Sequence, residues 1–497
     1  MAWILFILYL IVTSYLGYLG SKKTKDFSTF AIGDGNMSPI IVGITLAAST
    51  ASAATFIVNP GFVYVHGLSA FMHLGVSVMA GIVFMLLIVS YRFRRIGKDN
   101  QAVTIPNWIG KRYQSKKFAL YFAVINLLSF AFLVLLTGGI SIVIQQLLGV
   151  SNVVALIITL VFVTSYVILG GTYAHVLTNM LQGSMMIAVS LLVIGSGIYL
   201  MMDQPEIWAE ISTKDSSLLK WVNPDSNLYG DIFSIYISGF LIGVALVCQP
   251  HILTKALYVN SDRAVTKYIS VFTIVYGIFT CLLLAGFWAI ITVPADQLMD
   301  SSNGAFRQDL VMTQYLYHSF PDWLFTICSV VLLAAAMSTL DGLMVGLSTI
   351  TANDFWLNLN TSRVEKLPLE DRYKEAYRVS HIVLIILAIC TFLVTLNPPK
   401  LLGIFGQFGV YALVITSLSP LINGIFFQKP NLSLVWASSI MALIIYVLLY
   451  FKGADWFGNV TQFANPAVPA AFVILITTVP TYLIQSVLSN QKHTIHA

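Results

Sequence analysis

The stretch that decides how this chain folds is Ala47-Ala-Ser-Thr-Ala-Ser-Ala-Ala-Thr55, followed closely by Asn59-Pro60-Gly61. Nine small residues, four of them carrying hydroxyls, stand in the middle of an apolar run long enough to cross a bilayer. Two readings are open. Small side chains let helices pack closely in lipid. Alternatively the segment unwinds, which frees carbonyls for a cation and points the N-terminus of the following half-helix at an anionic group.

Outward from that stretch the chain is apolar almost throughout. Of its 497 residues 58% are hydrophobic and 9% charged, with a mean hydropathy of +0.84. A soluble domain carries roughly 25% charged residues, so the solvent of this chain is lipid. A helix needs about 20 apolar residues to cross, and thirteen spans are expected. They are residues 3–19 (α1), 39–58 (α2), 68–90 (α3), 118–148 (α4), 152–169 (α5), 176–202 (α6), 232–253 (α7), 269–293 (α8), 323–349 (α9), 380–396 (α10), 401–427 (α11), 434–450 (α12) and 469–488 (α13). The expected class is an all-α integral membrane protein. Outer loops 203–231 and 294–322 are expected to carry short surface helices, and inner loop 353–378 reads as a solvated connector.

An odd number of spans puts the termini on opposite faces. With the N-terminus outside, 21 of the 26 basic residues fall on the inner side, leaving Lys214, Lys220, Arg307, Lys400 and Lys452 outside. That split follows the positive-inside rule and predicts a multi-pass protein of the cell membrane with a cytoplasmic C-terminus. No Lys or Arg is expected deep in a span. A net charge of +5, gathered at membrane edges, argues against nucleic acid. Membrane lipid and a small solute are the expected partners, and nothing points to an obligate protein partner. Cys248, Cys281, Cys328 and Cys390 all lie in apolar runs and read as small buried hydrophobes rather than a disulfide framework. The first apolar stretch lacks a basic leader and a small-residue cleavage site, so no cleavable signal is expected.

Polar groups inside a membrane are costly and therefore informative. Of the 21 acidic residues only Asp341 is expected well inside a span, in the α9 segment Ala334-Ala-Ala-Met-Ser-Thr-Leu-Asp-Gly342. Its carboxylate with the Ser338 and Thr339 hydroxyls makes a set of hard oxygens suited to sodium. The competing reading has both hydroxyls bonded to their own helix carbonyls. In α7, Gly239, Gly243 and Gln249-Pro250-His251 suggest either a second broken helix or a proline kink. Interrupted spans at matching places in two halves are a pointer to a mid-membrane solute site. The division expected is 1–30 for α1 and its loop, 31–230 and 231–428 for two inverted repeats, and 429–497 for the late helices.

These residues resemble the sodium:solute symporter family. The anchors are the α2 motif ending in Pro60-Gly61, Gly170-Gly171 followed by Thr178-Asn179 and Gln182, the run Gln249-Pro-His251-Ile252-Leu253, and Met337-Ser-Thr339. The resemblance implies a leucine-transporter-type 5+5 inverted-repeat core, α2–α11, with α1 preceding it as helix 0 and two trailing helices. It implies a sodium site of carbonyls from Ala48, Ala51 and Ala335 and hydroxyls from Ser338 and Thr339. It further implies an aspartate at Asn179 in many members, here absent. A second sodium site is therefore expected from Ser338, Asp341 and Asn179, or else Asp341 bonds Asn179 and one sodium suffices.

Hydroxyls Thr50, Ser52 and Thr55 match positions that hold a substrate carboxylate in sialic-acid-type relatives, and an anion can be bound by hydroxyls and a helix N-terminus without arginine. Gln249 and Gln407 match amides that contact ligand in sugar-type relatives. His73 is either a solute ligand or a packed histidine. Phe56, Phe71, Phe405 and Phe408 are either gates or plain core. The function expected is sodium-coupled import of a small polar, carboxylate-bearing solute by alternating access, and not an enzyme. The rivals are a proton-coupled symporter of the same fold and a membrane-embedded hydrolase, for which no metalloprotease motif is present.

Overall fold

A peptide group without a partner costs several kcal/mol in hydrocarbon, so apolar spans satisfy their backbones as helices. The computed structural model describes residues 1–299, 304, 306–359, 366–397, 402–458 and 460–494. Arg363, Lys400 and Leu401, which entered the counts above, lie outside them. Among the described residues there is no strand, only an isolated bridge between Met299 and Phe306.

Ten helices are long and apolar enough to span a membrane, and up to twelve spans result if each of two bent pairs counts as one. The unbent ones are Ala2–Ser21 (α1), Leu68–Asp99 (α3), Lys116–Leu148 (α4), Asp262–Thr292 (α8), Asp322–Leu359 (α9), Glu370–Thr395 (α10), Gly403–Phe426 (α11), Leu432–Phe457 (α12) and Ala467–Ser489 (α13). The remaining one, Asn152–Asp203, has 52 residues. At 1.5 Å per residue it would measure about 78 Å, more than twice the hydrocarbon thickness. It is not one rod: Gly171 breaks it with φ 49° and ψ −132°, separating α5 from α6. Such a φ is reached readily only by glycine, and a Cβ here would also stand 2.4 Å from the Phe30 ring.

The two bent pairs are the interrupted spans anticipated above. In α2, Pro39–Thr50 meets Ala54–His66 at 56°. In α7, Phe233–Leu246 meets Pro250–Tyr258 at 67°. The first break falls within the small-residue run, where Ala51 at φ −84° and ψ 56° ends the first half. The second follows from Pro250, which has no N–H for the turn before it, with Gln249 extended at ψ 140°.

Burial separates centre from rim. The apolar window of α1 is 22% buried and those of α10 and α12 are 33%, against 78% for α9 and 89% for α11. The poorly covered helices present apolar faces to lipid, and α9 runs through the middle of the protein. At one rim Asp262 of α8 pairs with Arg94 at 2.5 Å and with Arg95, both from α3.

The outer loops carry the short helices Ile207–Lys214 and Val311–Ser319, as expected. Three readings need correction. The inner connector does not begin at 353, because α9 continues to Leu359 through a π-helical turn at Thr351–Trp356. Asp354 in that turn is buried and accepts from Thr104 Oγ1 at 2.5 Å, so Asp341 is not alone as a buried acid. Of the cysteines only Cys248 and Cys328 are buried; Cys281 is partly covered and Cys390 is exposed on lipid-facing α10.

Candidate functional site

The last carbonyls of a helix have no partner within it, and the first half of α2 ends in the middle of the protein, where water cannot supply one. The hydroxyls of α9 do. Ser338 Oγ lies 2.9 Å from Ala48 O and 2.7 Å from Ala335 O. Thr339 donates to Ser49 O at 2.9 Å. Asn179 of α6 closes the group, its amide nitrogen donating to Ser49 Oγ at 2.9 Å and to Ser338 O at 2.7 Å. Its amide oxygen is buried without a hydrogen-bond partner, an unspent acceptor beside the cluster.

Three of the five anticipated sodium ligands, Ala48, Ala335 and Ser338, are thus mutually within reach. Thr339 is at the same junction but meets Ser49 O rather than Ala51, which sits buried at the break itself. The oxygens are hard and neutral, and each hydroxyl can turn its proton away to offer a lone pair. A hydrogen-bonded junction and an ion-filled one are therefore alternatives for the same atoms, and the arrangement suits a small hard cation.

Beside it lies a cavity of about 100 Å³ between the two breaks. Thr50, Ser52, Thr55, Gln249 and Gln407 all line it, so the structure gathers five of the six expected solute residues. His73 is placed elsewhere: its Nδ1 bonds Ile235 O at 3.0 Å and its ring packs 5.0 Å from Tyr229. Ser49, Asn59, His251, Tyr276 and Tyr411 complete the polar lining, which includes no Lys or Arg among the described residues. Ser52 Oγ accepts from Ala54 N at 3.2 Å and so caps the second half of α2 at the cavity wall. Thr50 gives its proton back to Leu46 O at 2.7 Å, leaving its oxygen to accept. Gln249 Oε1 and His251 Nδ1 are buried and unpaired, acceptors facing no protein donor.

Asp341 is fully buried but turns away from Ser338 and Asn179. Its Oδ1 accepts from His175 Nδ1 at 2.9 Å and from Gly342 N at 2.7 Å. Its Oδ2 accepts from Tyr166 at 3.0 Å and Thr178 at 3.2 Å. The expected bond between Asp341 and Asn179 is not made. Gly342 is required next to it, since a Cβ there would stand 2.8 Å from His175 Cε1. Lys255, expected in an inner loop, is fully buried and lies 2.9 Å from His175 Nε2, which corrects the reading that no Lys lies deep. Tyr166, His175 and Lys255 were missed as site residues. The only hint was a histidine and a lysine flanking conspicuous motifs, in the Tyr173-Ala-His175 and Leu253-Thr-Lys255 segments.

Comparison with known proteins places this geometry. The model of the sodium:solute symporter family matches residues 30–433. The sodium/pantothenate symporter of Haemophilus influenzae is 25% identical over 442 residues, covering 88% of this chain and 87% of that protein. The sodium/proline symporter of Staphylococcus aureus is 24% identical over 467 residues, covering 91% and 86%. Among solved structures, a Na+-coupled sialic acid symporter in a substrate-bound outward-open state superposes with a TM-score of 0.74 at 16% identity, covering 97% of this chain and 98% of that one. A closed nucleobase-cation-symport-1 family transporter gives 0.50 at 14% identity, covering 91% and 93%. The last two likenesses concern the fold, which is the leucine-transporter type expected.

Proposed function

The chain belongs to the sodium:solute symporter family, and from that premise we propose that it is a sodium-coupled symporter importing a small, carboxylate-bearing organic solute by alternating access. One observation carries the coupling: the α9 hydroxyls Ser338 and Thr339 meet the freed α2 carbonyls of Ala48 and Ser49, and Ser49 also lines the neighbouring cavity. An ion at that junction is bound by both helices at once, so it favours the arrangement in which α9 and broken α2 stand together. Differential affinity for one conformation is what lets a ligand shift the balance between conformations. A solute that binds best to the arrangement held by sodium then couples its movement to the ion gradient.

The carboxylate follows from two supports. Pantothenate, proline and sialic acid, the solutes of the relatives compared, all bear one. The cavity also offers what an anion needs without a cationic side chain, namely hydroxyls at Thr50, Ser52 and Thr55 and the start of the second half of α2. Gln249 and Gln407 are assigned to the polar remainder of the solute. The sodium ligands assigned are Ala48, Ser49, Ala335, Ser338 and Thr339, with Ala51 as a further carbonyl once the break closes on the ion. The orientation assigned is N-terminus outside, C-terminus in the cytoplasm, with the inverted repeats at 31–230 and 231–428.

Uptake of labelled pantothenate and of labelled proline into proteoliposomes tests this reading. A sodium gradient at equal pH on both sides should drive accumulation of one of them. Accumulation driven by a pH gradient in sodium-free buffer would instead assign the coupling to protons.

A further inference from the structure

A carboxylate buried in a membrane protein needs both hydrogen-bond donors and a compensating charge. An ionised carboxylate offers about four lone-pair positions. At Asp341 three are taken by His175, Gly342 N and Tyr166, while Thr178 Oγ1 lies 3.2 Å from Oδ2 but shares its single proton with Ala174 O at 3.0 Å and His175 O at 3.2 Å.

The compensating charge is within the chain. His175 Nδ1 faces a carboxylate oxygen, so it carries the proton there, and Nε2 of the same ring presents a lone pair. The Lys255 ammonium, fully buried and 2.9 Å away, donates to that lone pair. The result is a directional chain, ammonium to imidazole to carboxylate, running from the inner half of α7 through α6 to α9. Each of its two links is a hydrogen bond of 2.9 Å.

We propose that Lys255 is a built-in counter-cation for Asp341, relayed by His175, standing where a second transported cation would otherwise be needed, so that one sodium and not two accompanies each solute. This rests on the symport reading above. It also explains why the helix that brings the hydroxyl ligands carries an acid without that acid joining them. Lys255 and His175 are positioning residues: they hold the Asp341 charge in place beside Ser338 and Thr339 without touching the transported ion.

Equilibrium binding of radioactive sodium to the purified full chain, with choline chloride as the balancing salt, tests the assignment without knowledge of the solute. The wild type should bind one sodium per chain, and Ser338→Ala/Thr339→Ala should bind none. Lys255→Met leaves the Asp341 charge uncompensated and should raise the count to two, an increase that a purely structural lysine would not produce. The paired variant Lys255→Met/Asp341→Asn removes both charges, covers the case in which the single variant does not fold, and should return the count to one with affinity within about threefold of wild type. A wild-type count of two overturns the proposal and leaves sodium symport standing. So does a count of one in a folded Lys255→Met, or of none in the paired variant. A wild-type count of zero overturns the sodium reading itself and this proposal with it.

Discussion

Ser338 and Thr339 were legible in the sequence because neighbouring hydroxyls in an apolar helix have few other uses, and the structure turns both toward α2. Replacing them by alanine removes two interhelical hydrogen bonds, each worth about 1 kcal/mol net. The protein should therefore still fold, with its unfolding temperature lowered by only a few degrees. Sodium-driven uptake should nonetheless fall at least tenfold, because the lost oxygens are the ligands proposed for the driving ion. Uptake at wild-type rate with unchanged sodium dependence would refute the site. Gly342 behaves differently. Gly342→Ala would push a methyl against His175 Cε1, and overpacking of that kind costs about 1–3 kcal/mol. Thermal unfolding in detergent should show the loss, and a Gly342→Ala variant unfolding at the wild-type temperature would show that the contact is slack. Lys255 was not legible, for a reason that lies in geometry. It follows the apolar run by two residues and so reads as a charge leaving the membrane edge. Only the 67° bend at Gln249-Pro250 carries that end of α7 under α6 and α9 instead of out to water.

At the level of elements, the two broken helices could be anticipated from the sequence, since a hydroxyl-rich run and a mid-span proline stand at corresponding places in the two halves. The bend angles and the face each half presents could not, because packing against α6 and α9 sets them. Asn152–Asp203 shows the converse case. Its sequence suggested two spans, and the backbone stays helical on both sides of a single residue, Gly171, held at positive φ. A left-handed conformation costs an L-residue about 1–2 kcal/mol, and the methyl of Gly171→Ala would also meet the Phe30 ring. The expectation is a loss of about 2–4 kcal/mol when that strain is added to an overpacking cost of similar size. Gly195→Ala, whose Cβ would meet nothing within 4 Å, is the control: it should unfold at or slightly above the wild-type temperature. Equal unfolding temperatures for the two variants would show that the break does not depend on glycine. The long inner end of α9 was missed for a similar reason. Asp354 and Asn353 look like loop residues until Thr104 of a neighbouring segment supplies the hydrogen bond that lets the turn stay buried.

For the whole molecule, the argument from charge is independent of any site. Hydropathy sets how many times the chain crosses, and the Lys/Arg asymmetry of short loops sets which way it faces. The structure adds that several of these basic residues are tied to helix ends. Arg94 and Arg95 clamp Asp262, and Arg112 donates through Nε to Gly424 O at 2.6 Å, covering the free carbonyls at the end of α11. Basic residues that the charge count assigns to the cytoplasmic face thus also tie helix ends of that face together. If so, orientation and inner-face packing rest on one set of side chains and should agree when tested separately. A cysteine placed at exposed Lys220 should react with a membrane-impermeant maleimide in intact cells. One placed at exposed Lys117 should react only after the cells are permeabilised. Both belong in a background with Cys248, Cys281, Cys328 and Cys390 replaced, since Cys390 is itself exposed on the lipid face. Labelling of Lys117→Cys in intact cells together with protection of Lys220→Cys would reverse the orientation. The positive-inside count would then have failed in a protein whose fold it had helped to identify, and the sodium junction would have to be read as opening from the opposite side.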